Sequence, residues 1–278
     1  MKLDQLAPHE FLEFTHFLER QCGIVLNEKK SYLVYSRLGP LVRQENLASI
    51  SELLKIAYSG HSPKMREKVV DAMTTNETLW FRDKYPFEIL SNRLLTELSK
   101  AKRKVRIWSA ACSSGQEPFS IAMCIQEYKR ANPRAFPLGV EIVATDISTD
   151  MLQRAKTGKF DSISISRGLS EERKERFFKA VDNNHMQLDK EIVSMVNFKP
   201  QNLLNSYSGL GRFDVVFCRN VLIYFSVNNK RKILQQIAAC LQNDGALFLG
   251  ASESIAELNQ LFSLVRNNPG LFYIKKAN

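Results

Sequence analysis

The residues best suited to hold a ligand form one stretch, Ala110-Ala111-Cys112-Ser113-Ser114-Gly115-Gln116-Glu117-Pro118. Small side chains let backbone approach a bound molecule, and Pro118 suits the first turn of a following helix. One glycine would equally serve an ordinary strand-to-helix turn, so the loop alone is ambiguous. Asp146 closes the run Glu141 to Thr145. Its carboxylate could accept both hydroxyls of a ribose, or it could cap the next helix, a job Ser148 could also do. Loop and acid together point to a nucleoside-containing cofactor. The dinucleotide fingerprint G-x-G-x-x-G, with an acid about 20 residues on, is absent, which leaves a nicotinamide oxidoreductase without support. S-adenosylmethionine has no phosphates. It needs close backbone contact, a ribose acid and a polar place for its amino-acid end, and it fits better.

Positioning these residues requires a parallel sheet, because ligands of doubly wound sheets sit at the carboxyl ends of the strands. After Lys104, short β-rich runs alternate with amphipathic helical segments. Strands are expected at Val105–Ala110, Glu141–Thr145, Phe213–Cys218, Gly245–Leu249 and Leu271–Lys275, with helices at Glu117–Arg130 and from Asp150 to Thr157. Between about 160 and 200 the alternation falters. Glu171–Ala180 reads as helix, and Met186–Leu188 and Ile192–Phe198 as short strands of an inserted antiparallel unit. Before this core, from about Gln5 to Arg82, the spacing of Phe11, Phe14 and Leu18 and the run Leu47–Ala57 read as short-looped helices. A connecting helix follows through Tyr85 to Leu98. The expected organisation is a small all-helical domain over 1–83 and an α/β doubly wound domain over 84–278, with the insertion at about 160–200.

The chain has 278 residues, 44% hydrophobic and 24% charged, which is ordinary for a folded globular protein and not for a disordered one. The opening MKLDQLAPHE carries acids and no apolar stretch, so no signal peptide is expected, and no apolar run is long enough to span a bilayer. Cys22, Cys112, Cys124, Cys218 and Cys240 lie far apart with no C-x-x-C pair, and are expected to be reduced thiols of a cytoplasmic protein. No metal site is expected. The formal charge of +10 invites an acidic partner. Up to Asp83 acids and bases balance, so the excess lies later and includes Lys100, Lys102, Arg103, Lys104 and Arg106, which could equally be a solvated surface. No nucleic-acid-binding motif accompanies it, and no nucleic-acid partner is expected.

Five segments, in order, carry a resemblance: Thr74-Thr75-Asn76-Glu77-Thr78-Leu79-Trp80-Phe81-Arg82, the run Ser109 to Ser120, Ala144-Thr145-Asp146-Ile147, Asn202-Leu203-Leu204, and Phe217-Cys218-Arg219-Asn220-Val221-Leu222-Ile223-Tyr224-Phe225. Together with Gly250-Ala251-Ser252-Glu253 they resemble the CheR-type chemoreceptor glutamate methyltransferases over nearly the whole chain. The resemblance implies a Rossmann-like class I methyltransferase core, a small inserted β-subdomain and an all-helical N-terminal domain. It implies S-adenosylmethionine as cofactor, with Asn76, Thr78 and Arg82 closing over it, Glu117 contacting it and Asp146 holding its ribose. Asn202 and Leu203 would border the adenine, and Arg219, Asn220 and Tyr224 would line the pocket. Local alternatives stand beside these: turn or cap roles for Asn76 and Thr78, a helix-favouring role for Glu117, a core role for Tyr224. Trp80, Gln116 and Phe119 stand where the family commonly has Phe, Glu and Tyr. Asn243-Asp244-Gly245 replaces a frequent Pro-Gly turn, with Gly245 expected to supply positive φ.

The implied reaction transfers a methyl group to glutamate carboxylates of a chemoreceptor. A carboxylate is already ionised at neutral pH, so no general base is expected, and Arg82 and Tyr224 are the candidates for positioning, Arg82 by charge-assisted hydrogen bonds to either the cofactor carboxylate or the incoming glutamate. The implied substrate is the receptor's helical cytoplasmic domain. Lys29, Lys30, Arg37 and Arg43 fall on one side of a helical projection, opposite Val34, Leu38 and Val42, and suit docking to an acidic helix, although Gly39-Pro40 interrupts the segment. In some family members the inserted unit adds a receptor's C-terminal tail peptide to its sheet edge. A methyltransferase of small carboxylic acids and a non-enzymatic S-adenosylmethionine sensor are the competing readings.

Overall fold

A computed structural model of the chain describes residues 6–255 and 258–277, so Gln5 lies outside the described residues. The chain divides into two compact units, one of residues 1–75 with 224–230 and one of residues 76–223 with 231–278. The boundary at Thr75 falls eight residues before the expected one at Asp83.

The first unit is helical: α1 (Pro8–Cys22), a 3-10 turn (Glu28–Lys30), α2 (Ser31–Gln44), α3 (Ile50–Tyr58) and α4 (Pro63–Met73). Ser49 accepts from the Glu52 N–H and Ser62 from the Met65 N–H, so α3 and α4 begin on side-chain caps. Gly23, at φ 81°, ends α1. Phe14, Leu18, Val34, Leu38, Leu53 and Val69 are buried in its core. α2 runs through Pro40 without a break, against the expected interruption. Proline removes one backbone donor, while buried Leu38, Leu41 and Val42 hold the flanking turns in place. The stretch 224–230 joins this unit through the Val25 N–H, which donates to the Tyr224 carbonyl at 2.9 Å, and an antiparallel bridge between Ile24 and Phe225.

The second unit opens with α5 (Tyr85–Ile89), a π turn (Leu90–Leu94) and α6 (Leu95–Leu98). Then come β1 (Val105–Ala110), α7 (Gln116–Ala131), β2 (Val140–Asp146), α8 (Thr149–Thr157), β3 (Lys159–Asp161), α9 (Ser162–Ser166), α10 (Glu171–Phe177), β4 (Phe178–Ala180), β5 (His185–Leu188), α11 (Lys190–Ser194) and β6 (Val196–Pro200). The chain finishes with β7 (Phe213–Cys218), α12 (Val227–Cys240), β8 (Leu241–Leu249), β9 (Phe262–Arg266) and β10 (Leu271–Lys275). The main sheet has the order β6-β2-β1-β7-β8-β10-β9. The pairs from β6 through β8 are parallel, and β10 runs antiparallel to both β8 and β9. Strand order reverses between β1 and β7, the place where doubly wound sheets bind ligands. Strand β7 is buried at all six positions, as a central parallel strand covered on both faces must be.

Two expectations for the insertion fail. The segment Ile192–Phe198 is not one strand of the small sheet: Lys190–Ser194 is helical, and β6 pairs in parallel with β2 at the edge of the main sheet. Alternation of buried Val196 and Phe198 with polar Asn197 fits either sheet, so sequence could not choose between them. The small sheet is β3-β5-β4, within 159–188, and the end of the expected helix Glu171–Ala180 supplies β4. Gly245 is also not at positive φ. Asp244 is, at 60°; a side chain on Gly245 would instead meet the Gln242 carbonyl at 2.9 Å. Strand β9 was not foreseen.

Trp80 is fully buried and meets Phe160 and Phe178 edge-on, at 4.9 and 5.4 Å, which ties the stretch before α5 to the small sheet. At the same contact Gly168 sits at φ +96°, and a Cβ there would lie 2.2 Å from the Trp80 carbonyl oxygen. Gly168→Ala should therefore destabilise the second unit by about 2 kcal/mol or more, read as a lower midpoint in denaturant unfolding; an unchanged midpoint would contradict this packing.

Candidate functional site

The carboxyl ends of β1, β2 and β7 carry several of the expected site residues in bonded groups, one around Asp146 and one around Glu117 and Arg219. After β1 the backbone turns sharply. Ala111 and Ser113 take positive φ, 62° and 50°, and Gly115, at 96°, starts α7. Non-glycine residues in that region each cost on the order of 1–3 kcal/mol, and such strain gathers where backbone must be aimed. A side chain at Gly115 would lie 2.8 Å from the Phe119 ring and 3.0 Å from Ala155, so close packing requires glycine as much as φ does.

Asp146 ends β2 and is buried. Its Oδ2 accepts from the Ser113 N–H at 2.7 Å and its Oδ1 from the Ser148 N–H at 2.9 Å. The capping alternative is settled, because the Ser148 hydroxyl is the cap of α8, accepting from the Met151 N–H. Asp146 is thus left with unused lone pairs and no ion-pair partner among the described residues. Burial raises its carboxyl above the usual aspartate range, opposed by the bonds from Ser148 and Ser113.

Glu117, in the first turn of α7, accepts from the Ser109 hydroxyl at 2.8 Å and from Arg219 Nη1 at 2.9 Å. Burial raises its carboxyl too, with Arg219 and Ser109 pulling it back. The Cys112 thiol is pushed well up, first by its burial and then by Asp146 and Glu117, so both acids act on the same small loop. Arg219 follows β7 with a side chain 1% exposed. Its Nη2 donates to the Arg82 carbonyl at 2.8 Å and to Asp83 at 2.7 Å. Its Nε–H is buried and has no acceptor among the described residues. Asn220, at φ 58°, is held by Glu253, whose Oε2 accepts from the N–H groups of Asn220 and Gly250 at 2.8 and 2.7 Å.

The residues before α5 reach the same loop. The Ser113 hydroxyl donates to the Asn76 carbonyl at 2.8 Å, and the Phe81 N–H donates to the Ser120 hydroxyl at 3.1 Å. Asn76 and Thr78 lie in an irregular stretch, outside any helix they could cap. Arg82 donates from Nη1 to the Glu77 carbonyl at 3.2 Å, and its charge is felt at Glu117. On the far side of β2, Asn202 Oδ1 accepts from the Leu204 N–H, and Tyr207 donates to the Leu203 carbonyl at 2.5 Å. Tyr207 packs edge-on against Trp108, which donates to Thr145 beside Asp146.

Tyr224 ends a short 3-10 helix and belongs by its contacts to the helical unit. In that unit Lys29, Lys30 and Arg43 are exposed, but Arg37 donates to the carbonyls of Met73 and Thr74 and to the Thr75 hydroxyl, closing the end of α4. Arg103 and Arg106, from the basic cluster, are also engaged. The Arg103 guanidinium bonds to Asp214, which also accepts from the Arg106 backbone N–H, and the Arg106 side chain pairs with Glu141 at 2.7 Å, at the amino ends of the strands. Sequence reasoning passed over Ser109, Ser113, Asp83 and Ser120; the serines lie in quoted segments but offer no spacing signal.

The donor set fits S-adenosylmethionine. Asp146 is a buried carboxylate that lacks a cation and can take hydroxyl donors, and two acids beside the loop favour a cationic sulfonium and disfavour a pyrophosphate. No helix of the described residues is long and apolar enough to cross a membrane.

Residues 76–271 match the family model described as CheR methyltransferase, SAM binding domain, and residues 9–74 match CheR methyltransferase, all-alpha domain. The chain is 50% identical over 268 residues, 96% of this chain and 97% of the other, to the chemotaxis protein methyltransferase of Vibrio parahaemolyticus. It is 51% identical, with the same coverage, to chemotaxis protein methyltransferase 1 of Vibrio cholerae. To the chemotaxis protein methyltransferase of Escherichia coli it is 30% identical over 263 residues, 93% of this chain and 89% of that one. With both family models matched in order along one chain, the protein belongs to the CheR methyltransferase family and is an S-adenosylmethionine-dependent methyltransferase.

Proposed function

We propose that this enzyme works in the cytoplasm, converting glutamate side chains of chemoreceptor signalling helices to methyl esters. The observation that carries the site assignment is the buried, cation-free Asp146 carboxylate at the carboxyl end of β2, bonded through Ser113 to the loop that follows β1 at the switch point and leads into α7 and Glu117. S-adenosylmethionine supplies an electrophilic methyl group on its sulfonium. Asp146 takes the ribose hydroxyls, Asn202 and Leu203 border the base, and Asn76, Thr78, Glu117, Asn220 and Arg82 surround the amino-acid end. Arg82 holds the cofactor carboxylate by charge-assisted hydrogen bonds. Tyr224 orients the incoming glutamate.

The chemistry asks little of acids and bases. A glutamate of ordinary pKa near 4.3 is ionised at neutral pH and is itself the nucleophile. The chain's task is to align it and strip its water. Glu117 is engaged as an acceptor by the Ser109 hydroxyl and Arg219. A receptor fragment that gains methyl label released by mild base as methanol supports the ester; base-stable label opposes it.

Receptor docking falls to the helical unit of 1–75 and its exposed Lys29, Lys30 and Arg43. Reversing Lys29 and Lys30 together to Glu should raise the KM for receptor about tenfold, fading at high salt, with cofactor affinity unchanged. An equal fall in cofactor affinity would point to damaged folding and sink the docking role. Arg37→Glu is a poor probe of docking because it also opens the end of α4. A receptor tail peptide adding to the free edge of β4 provides a second contact.

A further inference from the structure

Phe81, Asp83 and Lys84 all take positive φ, at 47°, 65° and 52°. Lys84 has ψ −55°, and the Tyr85 N–H donates to the Asp83 carbonyl at 2.6 Å, so the chain passes through a γ-turn in its strained, rarely populated form. A segment in this conformation persists only where its surroundings over-determine it. Here the restraint comes from Arg219. Its Nη2 splits between the Arg82 carbonyl and the Asp83 carboxylate, and its Nη1 is anchored on Glu117. The guanidinium is buried while Asp83 remains about a third exposed, so the tie reaches from the floor of the site to the turn. Arg82 stands between two of the strained residues. Its side chain bonds to the Glu77 carbonyl, and its backbone is gripped by Arg219.

We propose that Asp83, acting through Arg219, is a positioning residue that locks the 81–84 turn and thereby aims the Arg82 guanidinium, with Arg219 serving as a brace between Glu117 and this turn. The inference rests on the reading that Arg82 holds the cofactor carboxylate. Only a planar fork can serve three acceptors in fixed directions, so lysine at 219 would not replace it. The turn is then a device that places one cation at a set distance from a pair of buried acids.

The test is calorimetric binding of S-adenosylhomocysteine to the full chain and to Arg82→Ala, Asp83→Ala and the double variant, with thermal unfolding of each apo protein. Asp83→Ala is expected to weaken binding about tenfold in the parent and by less than twofold in the Arg82→Ala background, because an unaimed arginine and an absent one are equivalent. Asp83→Ala within twofold of the parent, or an equal loss in both backgrounds, would overturn the proposal. Arg82→Ala on its own reports on the underlying reading: unchanged affinity there removes Arg82 from the cofactor, and the inference falls with it. If Asp83→Ala does not fold, Asp83→Asn keeps an acceptor and loses the charge; a loss of about threefold, absent in the Arg82→Ala background, is then expected, and no loss overturns the proposal.

Discussion

Asp146→Ala should bind S-adenosylhomocysteine about 100-fold more weakly than the parent chain while remaining folded. A buried carboxylate accepting two hydroxyls makes two charge-assisted hydrogen bonds, each worth roughly 1.5–3 kcal/mol, and a loss of about 3 kcal/mol corresponds to that factor. The fold should survive because the Ser148 cap of α8 does not depend on Asp146. What loses an acceptor is a set of backbone N–H groups, those of Ser113 and Ser148 and, more weakly, Ile147. The same group sets a pH dependence. Its folded-state pKa is raised by burial, so it takes up a proton at a higher pH than an exposed aspartate near 3.9 would. Affinity for the ribose should therefore fall on acidification before an ordinary aspartate titrates. Apo stability responds with the opposite sign. A carboxyl with a raised pKa favours the fold when protonated, so its contribution grows as pH falls through the raised value. Asp146→Asn should be weak at every pH and flat across this range; a parent-like acid limb in that variant would assign the titration elsewhere.

Arg82→Ala should lower methyl transfer by at least about 100-fold at fixed, subsaturating cofactor, with no comparable loss of folding. Among the described residues its side chain bonds to the Glu77 carbonyl at 3.2 Å, so little structure depends on it. What is lost is a cation near Glu117 that fixes the reacting partners, and misplacement of even an ångström can cost that much rate. Arg82→Lys keeps the charge and loses the fork, and should recover only part of the activity. Near-normal turnover by Arg82→Ala would remove this residue from the mechanism.

The central sheet was legible because its parallel strands are short apolar runs set off by turns, and because the loop after Ala110 and the acid at 146 stand where such sheets bind ligands. The helical unit announced itself by spacing, down to the burial of Val34, Leu38 and Val42 opposite the exposed cations. What escaped depended on partners distant in sequence. Whether Val196–Pro200 joins the large or the small sheet is decided by pairing with β2. Arg37 looks like a docking cation until α4 ends against it, and Arg103 and Arg106 look like free surface charge until Asp214 and Glu141 are brought alongside. Arg219 is the sharpest case. Nothing in the sequence pairs it with Glu117, Asp83 or the Arg82 carbonyl, yet two of its nitrogens bond to them, while its Nε–H has no acceptor among the described residues.

The most direct test is transfer of labelled methyl from S-adenosylmethionine to a purified chemoreceptor cytoplasmic fragment, followed by base treatment and mapping of the modified peptides. The expected result is label released as methanol from peptides whose modified residues are glutamates, lost in Arg82→Ala and Asp146→Ala. Tight binding of S-adenosylhomocysteine without base-labile label on any of a panel of receptors, or label on residues other than glutamate, would contradict the assignment.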